Sequence, residues 1–223
     1  MCNRLNQWVT PSQLQEFFDT VRTPDFDPRY NVSPADPVVY IAASADGREA
    51  RIGEFGFSPT WSDSGRVFNT RSEECFEKPM WREVILKQRC LVPAPGYFEY
   101  QETGKKRKQR WHVWPKSNEL MGIAGVFNDR GEVSVLTIEP NAEQSAVKDR
   151  MPLILPRDTW STYLNPDDQF PVSIRPLFRT PRDGSMRLEA VKESKKEWPP
   201  DSPIWLEPLE PRTIPKQRGL FDE

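Results

Sequence analysis

Proline is the residue that most constrains how this chain can fold. It accounts for 23 of the 223 residues, roughly twice its usual share in proteins. Because proline fixes φ and lacks a backbone N–H, a chain this rich in proline can sustain few long helices. Short strands joined by fixed turns are favoured instead. The length suits one large domain, or one domain followed by a tail.

The hydrophobic pattern predicts a mixed α+β domain built around a curled sheet. Thr10, Pro11 and Gln13 form the signature of a helix start, and the apolar spacing that follows predicts a helix over 11–21. Further helical patterns cover 79–88, 141–148 and 157–164. Strand-like runs cover 38–43, 51–57, 89–93, 96–101, 110–114, 121–127 and 132–138, with two more at 152–155 and 187–191.

The composition changes from Pro199 onward, where prolines are frequent and core positions are few. We therefore predict a catalytic or binding domain over 2–198 and a proline-rich C-terminal tail over 199–223. No run approaches the ~18 apolar residues of a membrane span. The polar start, with Asn3 and Arg4, lacks the features of a secretory signal. A cytoplasmic protein is expected.

Charge and cysteine content exclude little but do limit metal chemistry. The 31 basic and 33 acidic residues nearly cancel, so an interaction with nucleic acid would have to rest on local clusters. The three cysteines, Cys2, Cys75 and Cys90, form no CxxC pair, and His112 is the single histidine. Neither a disulfide framework nor a zinc site is indicated. We expect no metal and no cofactor.

Cys2 directly follows the initiator methionine. Removal of that methionine would leave a thiol and an α-amine on adjacent carbons, and both groups are partly nucleophilic at neutral pH. Such a pair can trap an aldehyde as a thiazolidine ring, or attack an acyl group as N-terminal nucleophile hydrolases do. Alternatively, Cys2 is an ordinary residue of a frayed terminus. The residues alone leave all three interpretations open.

Two internal motifs offer polar groups suited to chemistry. In FNTRSE (68–73), Asn69 supplies a donor and an acceptor and Arg71 a phosphate-binding fork, although a helix cap with a surface arginine fits equally well. In PAPGYFEY (93–100), strand alternation points Glu99 away from both of its neighbours. At the rim of an apolar pocket this carboxylate would serve as a general acid or base; otherwise it is a solvated strand glutamate.

Three further features remain ambiguous from sequence. Lys148 and Arg150 precede an apolar run, at the lip of a site or in a surface turn. Trp61, in a turn-rich stretch, can stack an unpaired base or pack in the core. The basic run over 104–110 can guide a phosphate backbone or be merely solvated. His112 alternates with apolar residues, which indicates a half-buried strand histidine and not a partner of a catalytic cysteine.

The order and spacing of these motifs resemble the SOS response-associated peptidase (SRAP) family, over about residues 2–165. The motifs that carry the resemblance are MC-x-R at the terminus, YNVSP (30–34), FGFSPTW (55–61), FNTRSE (68–73), C-x-VPAPGYFEY (90–100) and T-x-x-x-N…KDRMPLIL (137–155). The resemblance implies a compact single domain with a barrel-like, mostly antiparallel sheet, a few flanking helices and a basic groove.

The resemblance also implies a function. Family members bind single-stranded DNA and shield abasic sites by forming a thiazolidine between the N-terminal cysteine and the sugar aldehyde, which would associate the protein with the nucleoid. By motif, Cys2 matches the nucleophile, Asn69 the residue that orients the opened sugar, and Glu99 the acid–base group. The positions similar to those that line the DNA path are Arg4, Asn31, Pro34, Trp61, Arg71, Thr137, Arg150 and Met151.

Two other functions remain open from the sequence. One is an N-terminal-nucleophile cysteine peptidase or hydrolase, with possible self-processing or lyase chemistry, that uses Cys2 without DNA. The other is a non-enzymatic module that binds single-stranded DNA. The tail predicts recruitment to the bacterial sliding clamp, whether the protein forms a crosslink or only binds DNA. In it, Gln217, Leu220 and Phe221 resemble a Q-x-x-L-F peptide that docks into the clamp.

The chain departs from the family pattern at two positions. Asn3 replaces a glycine, where backbone and DNA approach closely, and Lys148 replaces the histidine before Arg-Met-Pro. Histidine exchanges protons near neutrality, whereas an ordinary lysine stays charged. Lys148 can stabilise phosphate and the opened sugar or, if desolvated, attack the aldehyde itself. We therefore expect crosslink formation to persist and its proton-assisted reversal to change.

Overall fold

The structure is a computed structural model that describes residues 4–60, 65–104, 108–195 and 197–209. Cys2, Trp61 and the three residues of the clamp-like peptide, Gln217, Leu220 and Phe221, lie outside the described residues. Predictions about these five residues therefore remain predictions.

Short strands dominate the described chain, as the proline content predicts. The strands are β1 (Arg4–Gln7), β2 (Thr20–Arg22), β3 (Arg29–Val32), β4 (Pro37–Ser44), β5 (Gly47–Phe55), β6 (Asn69–Arg71), β7 (Arg89–Ala94), β8 (Gly96–Gln101), β9 (Gln109–Pro115), β10 (Met121–Phe127), β11 (Glu132–Ile138), β12 (Met151–Pro152), β13 (Ile154–Leu155) and β14 (Met186–Ala190). The helices are α1 (Pro11–Phe18), α2 (Val84–Lys87), α3 (Ala142–Ser145), α4 (Trp160–Leu164) and α5 (Pro171–Ile174).

The strands form two sheets. One is antiparallel throughout, with the order β14-β9-β8-β1-β3. The other follows the path β12-β11-β10-β7-β4-β5-β2, and β13 and β6 pair with β10 and β11 at its side. A short parallel pairing between β5 and β11 closes five of these strands into a ring. The predicted α+β fold with a curled, barrel-like, mostly antiparallel sheet is confirmed, although the ring is not a regular barrel.

Helix α1 starts as predicted and ends early. The Thr10 hydroxyl accepts a hydrogen bond from the Gln13 N–H while the Gln13 side chain accepts one from the Thr10 N–H. The helix ends at Phe18 because Asp19 adopts the left-handed conformation, with φ 53° and ψ 48°. The prediction of a helix to residue 21 is therefore wrong by three residues, since Thr20 already begins β2.

The other predicted helices exist in shortened form. Of 79–88 only Val84–Lys87 is α-helical, preceded by hydrogen-bonded turns, and 141–148 contains only Ala142–Ser145. The segment 157–164 begins with a 3-10 turn and continues as α4. Among the described residues no helix is long and apolar enough to cross a membrane.

The start of the proline-rich segment packs on the antiparallel sheet. Trp205 is buried against Phe98, and its indole N–H donates to the Pro199 carbonyl at 2.7 Å. The Pro200 carbonyl accepts a hydrogen bond from the backbone of Tyr30 in β3. The described part of the tail therefore contacts the domain across the predicted boundary at Pro199.

Candidate functional site

The antiparallel sheet separates the predicted site residues onto two faces. Residues directly opposite one another in antiparallel strands point to the same face, and Arg4 in β1 lies opposite Phe98 in β8. Phe98 is covered by Trp205, so we call its side the outer face. Glu99 points to the other side, the inner face. Strand alternation predicts this direction of the Glu99 side chain, opposite to that of its two neighbours in the strand.

Glu99 is a buried carboxyl group and not a solvated strand residue. Only 1% of the surface of Glu99 is exposed to solvent. Burial raises the pKa of Glu99 to about 7, against the opposing effects of the Lys148 charge and a hydrogen bond from the backbone of Tyr100. A carboxyl group with this pKa is well placed to accept and donate protons at neutral pH.

The segment after β11 brings Lys148 to the inner face. The Asn141 side chain caps α3 by accepting a hydrogen bond from the Gln144 N–H at 3.1 Å. After one more turn the Lys148 N–H donates to the Gln144 carbonyl at 2.8 Å. The Lys148 ammonium then lies close enough to Glu99 to lower the pKa of that carboxyl group against the effect of burial.

Asn69 has an amide group with no hydrogen-bond partner among the described residues. It lies in β6, which runs parallel to β11 with Asn69 opposite Val135. Both its amide nitrogen and its amide oxygen are buried. The alternative of a helix cap is wrong, since Asn69 is in a strand. Leaving a buried polar group unpaired costs about 1–3 kcal/mol, so this amide is suited to a ligand that supplies the missing partners.

Arg150 is held by a carboxylate within the protein. Its two terminal nitrogens each donate to one oxygen of Glu73 at 2.8 Å, and one also donates to the Thr137 carbonyl. Burial would raise the pKa of Glu73, but the hydrogen bonds, chiefly that from Arg150, lower it overall. A phosphate group would have to compete with Glu73 for this arginine.

The remaining described residues of the predicted DNA path are divided between exposed and buried positions. Arg71 is exposed, with Glu74 at 3.9 Å. On the outer face Arg4 donates to the side chains of Asn31, at 3.3 Å, and Ser33. Pro34 is half-buried. The side chains of Thr137 and Met151 are closed to solvent. Contacts between these residues and DNA remain a prediction.

His112 and the two described cysteines have the properties of core residues. The His112 ring shares a hydrogen bond of 3.0 Å with the Asn6 side chain, and burial, helped by Arg110, lowers the pKa of His112 to about 4. Burial raises the pKa of Cys75 to about 12 and that of Cys90 well above its ordinary value. Since the thiolate is the nucleophile, neither cysteine is suited to catalysis. His112 is 8% exposed, so it is more deeply buried than the half-buried strand position that the alternation of its neighbours predicts.

Comparison with known proteins identifies the family. The sequence profile described as SOS response associated peptidase (SRAP) matches residues 1–196. The chain belongs to the SRAP family. The abasic site processing protein YoaM of Bacillus subtilis is 27% identical over 194 residues, which are 79% of this chain and 85% of YoaM. A second abasic site processing protein from the same organism, YoqW, is 28% identical over 196 residues, which are 80% of this chain and 87% of YoqW.

A solved structure shares the fold of this chain. The X-ray crystal structure of a protein from Bacteroides thetaiotaomicron superposes with a TM-score of 0.79, covering 93% of this chain and 100% of that one. The two sequences are 22% identical.

Sequence reasoning missed three residues that contact the candidate site: Tyr97, Gln144 and Glu73. Tyr97 and Gln144 join β8 to the segment that carries Lys148. Tyr97 could have been found from sequence, because it lies two residues from Glu99 and therefore shares its face. Glu73 and Gln144 carry no comparable signal. Among the described residues no cluster of His, Cys, Asp and Glu is arranged to bind a metal ion.

The burial of Glu99 predicts a specific dependence of stability on pH. Because its pKa is raised from 4.5 to about 7, the folded protein retains a proton that the unfolded chain releases in this range. The stability contributed by that proton is present below pH 4.5 and is lost as the pH rises through about 7. In Glu99→Gln the loss should be absent, which changes the pH dependence by about 1.4 kcal/mol per unit of pKa shift.

Urea unfolding at pH 5 and pH 8 measures this difference. The wild-type free energy of unfolding should fall between the two pH values by more than that of Glu99→Gln. Glu139→Gln, at an exposed glutamate, is the control and should behave like the wild type. Parallel behaviour of wild type and Glu99→Gln would contradict the raised pKa.

Proposed function

We propose that this SRAP protein binds single-stranded DNA and forms a covalent thiazolidine crosslink between Cys2 and the aldehyde of an abasic site, which shields the site during repair. The observation that carries the proposal is the buried Glu99 carboxyl group, with a pKa raised to about 7, on the strand paired with β1. The relatives named abasic site processing proteins support the choice of substrate.

Covalent geometry limits how far Cys2 can lie from this carboxyl group. Arg4 pairs with Phe98, the residue directly before Glu99. Cys2 precedes Arg4 by two residues, and two residues of extended chain span at most about 7 Å. A tether of this length is consistent with the proposal that Cys2 reacts beside Glu99.

The proposed reaction starts once Met1 has been removed. The Cys2 amine adds to the aldehyde of the ring-opened sugar to form a carbinolamine, and protonated Glu99 donates a proton to the hydroxyl group that departs as water. The Cys2 thiol then attacks the carbon of the resulting iminium ion and closes the ring, while the Glu99 carboxylate takes up the thiol proton. The net change is the condensation of one aminothiol and one aldehyde with loss of one water.

Asn69 and Lys148 have supporting roles in this mechanism. The unpaired amide of Asn69 would bind the hydroxyl groups of the opened sugar, which both accept and donate hydrogen bonds. Lys148 would stabilise the Glu99 carboxylate that exists after Glu99 has donated its proton, because the lysine charge already acts on that group. Arg4, Asn31, Pro34 and the other residues of the predicted path would bind the flanking strand, with arginines meeting phosphates and Trp61 stacking a base.

The family description favours one other function for the same site. It names a peptidase, and an N-terminal cysteine with a nearby general base can also hydrolyse peptide or amide bonds. That activity would turn over without DNA. Docking of the tail into a sliding clamp through Gln217, Leu220 and Phe221 is a separate proposal about recruitment.

Intact mass spectrometry tests the crosslink directly. Wild-type protein mixed with a single-stranded oligonucleotide carrying one abasic site should give an adduct at the summed mass of Met-free protein and DNA less one water. Cys2→Ala should give none. Cys90→Ala, which removes a buried thiol, should retain the adduct. Wild-type protein that is trimmed and binds DNA without forming an adduct would contradict the proposal and favour peptide substrates.

The lysine at position 148 predicts slow reversal of the crosslink. Lys148→His restores a group that can donate a proton near neutrality, so we expect release of the DNA to accelerate by about tenfold or more. The measurement is loss of purified adduct at pH 7 in the presence of an excess of a competing aminothiol. Lys116→His, at an exposed lysine, should leave the rate unchanged. Unchanged formation and reversal in Lys148→His would refute the role of Lys148.

The pairing of Arg150 with Glu73 predicts that removing the carboxylate strengthens DNA binding. In Glu73→Gln the guanidinium loses its anionic partner and becomes available to a phosphate. Fluorescence anisotropy with an oligonucleotide that has no abasic site should show tighter binding and a salt dependence steeper by about 0.7 in log–log slope. Glu77→Gln, at an exposed neighbouring glutamate, should match the wild type. Equal affinities for all three proteins would show that Arg150 does not bind DNA.

A further inference from the structure

We propose that Tyr97 and Gln101 are positioning residues, which hold the segment 141–150 along the inner face of β8 so that Lys148 stays beside Glu99. The inference rests on the proposed function, because it assigns the residues that organise the same site.

The placement of the two residues in β8 is the first part of the argument. Tyr97, Glu99 and Gln101 are separated by two residues each and therefore point to the same face of the strand. Tyr97 is fully buried and Gln101 half-buried. The carboxyl group thus lies between two side chains that can make hydrogen bonds, one on each side along the strand.

Both flanking side chains bind the segment that carries Lys148. The Tyr97 hydroxyl donates to the side-chain oxygen of Gln144 at 3.2 Å. The Gln101 side-chain nitrogen donates to the Ala146 carbonyl at 2.8 Å. The segment therefore runs along β8 and is attached to it before and after Glu99, with Lys148 two residues beyond the second attachment.

Gln144 connects the first attachment to the rest of the segment. Its side-chain nitrogen donates to the Arg150 carbonyl at 3.4 Å, and its own carbonyl accepts from the N–H groups of Val147 and Lys148. The residue is fully buried, and a buried amide is costly unless its groups are bonded. Release of Tyr97 would therefore loosen the turn that ends at Lys148.

Gln101 is itself oriented by a neighbouring strand. The indole N–H of Trp111 in β9 donates to the Gln101 side-chain oxygen at 3.0 Å. Trp111 lies opposite Glu99 in the β8–β9 pairing, so it shares the inner face. This bond fixes which end of the Gln101 amide faces the segment, and the nitrogen is left to bind Ala146.

Single-turnover kinetics of adduct formation test the positioning role. Tyr97→Phe removes one hydroxyl group, and we expect the rate constant at saturating DNA to fall by about fivefold, the equivalent of one typical hydrogen bond. The DNA concentration at half-saturation should not change, because neither residue contacts the DNA in this proposal. Gln101→Met should lower the same rate constant.

Tyr163→Phe is the matched control. Tyr163 is equally buried, and its hydroxyl donates one hydrogen bond, to the Gly125 carbonyl at 2.9 Å, away from β8. It should keep the wild-type rate constant. If Tyr97→Phe and Tyr163→Phe have equal effects, the role of Tyr97 is only that of a core residue and the proposal fails.

A double variant identifies Lys148 as the group being positioned. Lys148→Ala should lower the rate constant, and adding Tyr97→Phe should then have little further effect. Additive losses would overturn the proposal, since they would show that Tyr97 acts independently of Lys148.

Hydrogen exchange separates failure of this inference from failure of the proposed function. In the free protein the amides of Val147 and Lys148 should exchange faster in Tyr97→Phe than in Tyr163→Phe, whether or not DNA is ever bound. Unchanged exchange would overturn the positioning role even if the wild type forms the crosslink. An absent crosslink with altered exchange would reject the DNA chemistry and leave the attachment of the segment intact.

Discussion

The antiparallel pairing of β1 with β8 is the constraint on which the site depends. It joins the start of the described chain to the strand that carries Glu99, with Arg4 opposite Phe98. The register of this pairing also assigns the faces, so that Arg4 lies outside and Glu99 inside. A slip of one residue would turn every side chain of β1 to the other face, and the cluster of Arg4 with Asn31 would be lost.

The second sheet positions the other two residues of the candidate site, Lys148 and Asn69. Its closure into a ring through β5 and β11 fixes β11 at the place where the segment carrying Lys148 begins. Strand β6 pairs with β11 and positions Asn69 with its amide unpaired. The buried side chains of the ring are mostly hydrophobic, so a buried amide without a hydrogen-bond partner is a candidate site for a ligand. Among the described residues, Asn69 and Glu99 are carried by strands and Lys148 by one short segment.

The hydrophobic strands could be predicted from sequence because their own patterns specify them. Of the strands that build the site, β8 matches the predicted run 96–101, whereas three others could not be predicted. β1, β3 and β6 have the sequences RLNQ, RYNV and NTR, which are short and polar, and they exist only through their neighbours. The site could be predicted only in part. Strand alternation predicts the direction of the Glu99 side chain, but its burial depends on the residues that cover that face of the sheet. The pairing of Arg150 with Glu73 joins residues 77 positions apart and has no local signature.

The replacement of histidine by lysine at position 148 acquires a physical meaning in this arrangement. A histidine beside Glu99 would give the site two groups that titrate near neutrality, one to donate and one to accept a proton. In the proposed mechanism Lys148 acts on Glu99 as a cation, so Glu99 would perform each proton transfer. In that mechanism, formation of the ring would need one group that alternates between acid and base, a role that we propose for Glu99. In the same mechanism, reopening the ring would need a proton at the sulfur together with assistance at the nitrogen, and Glu99 alone would not supply both.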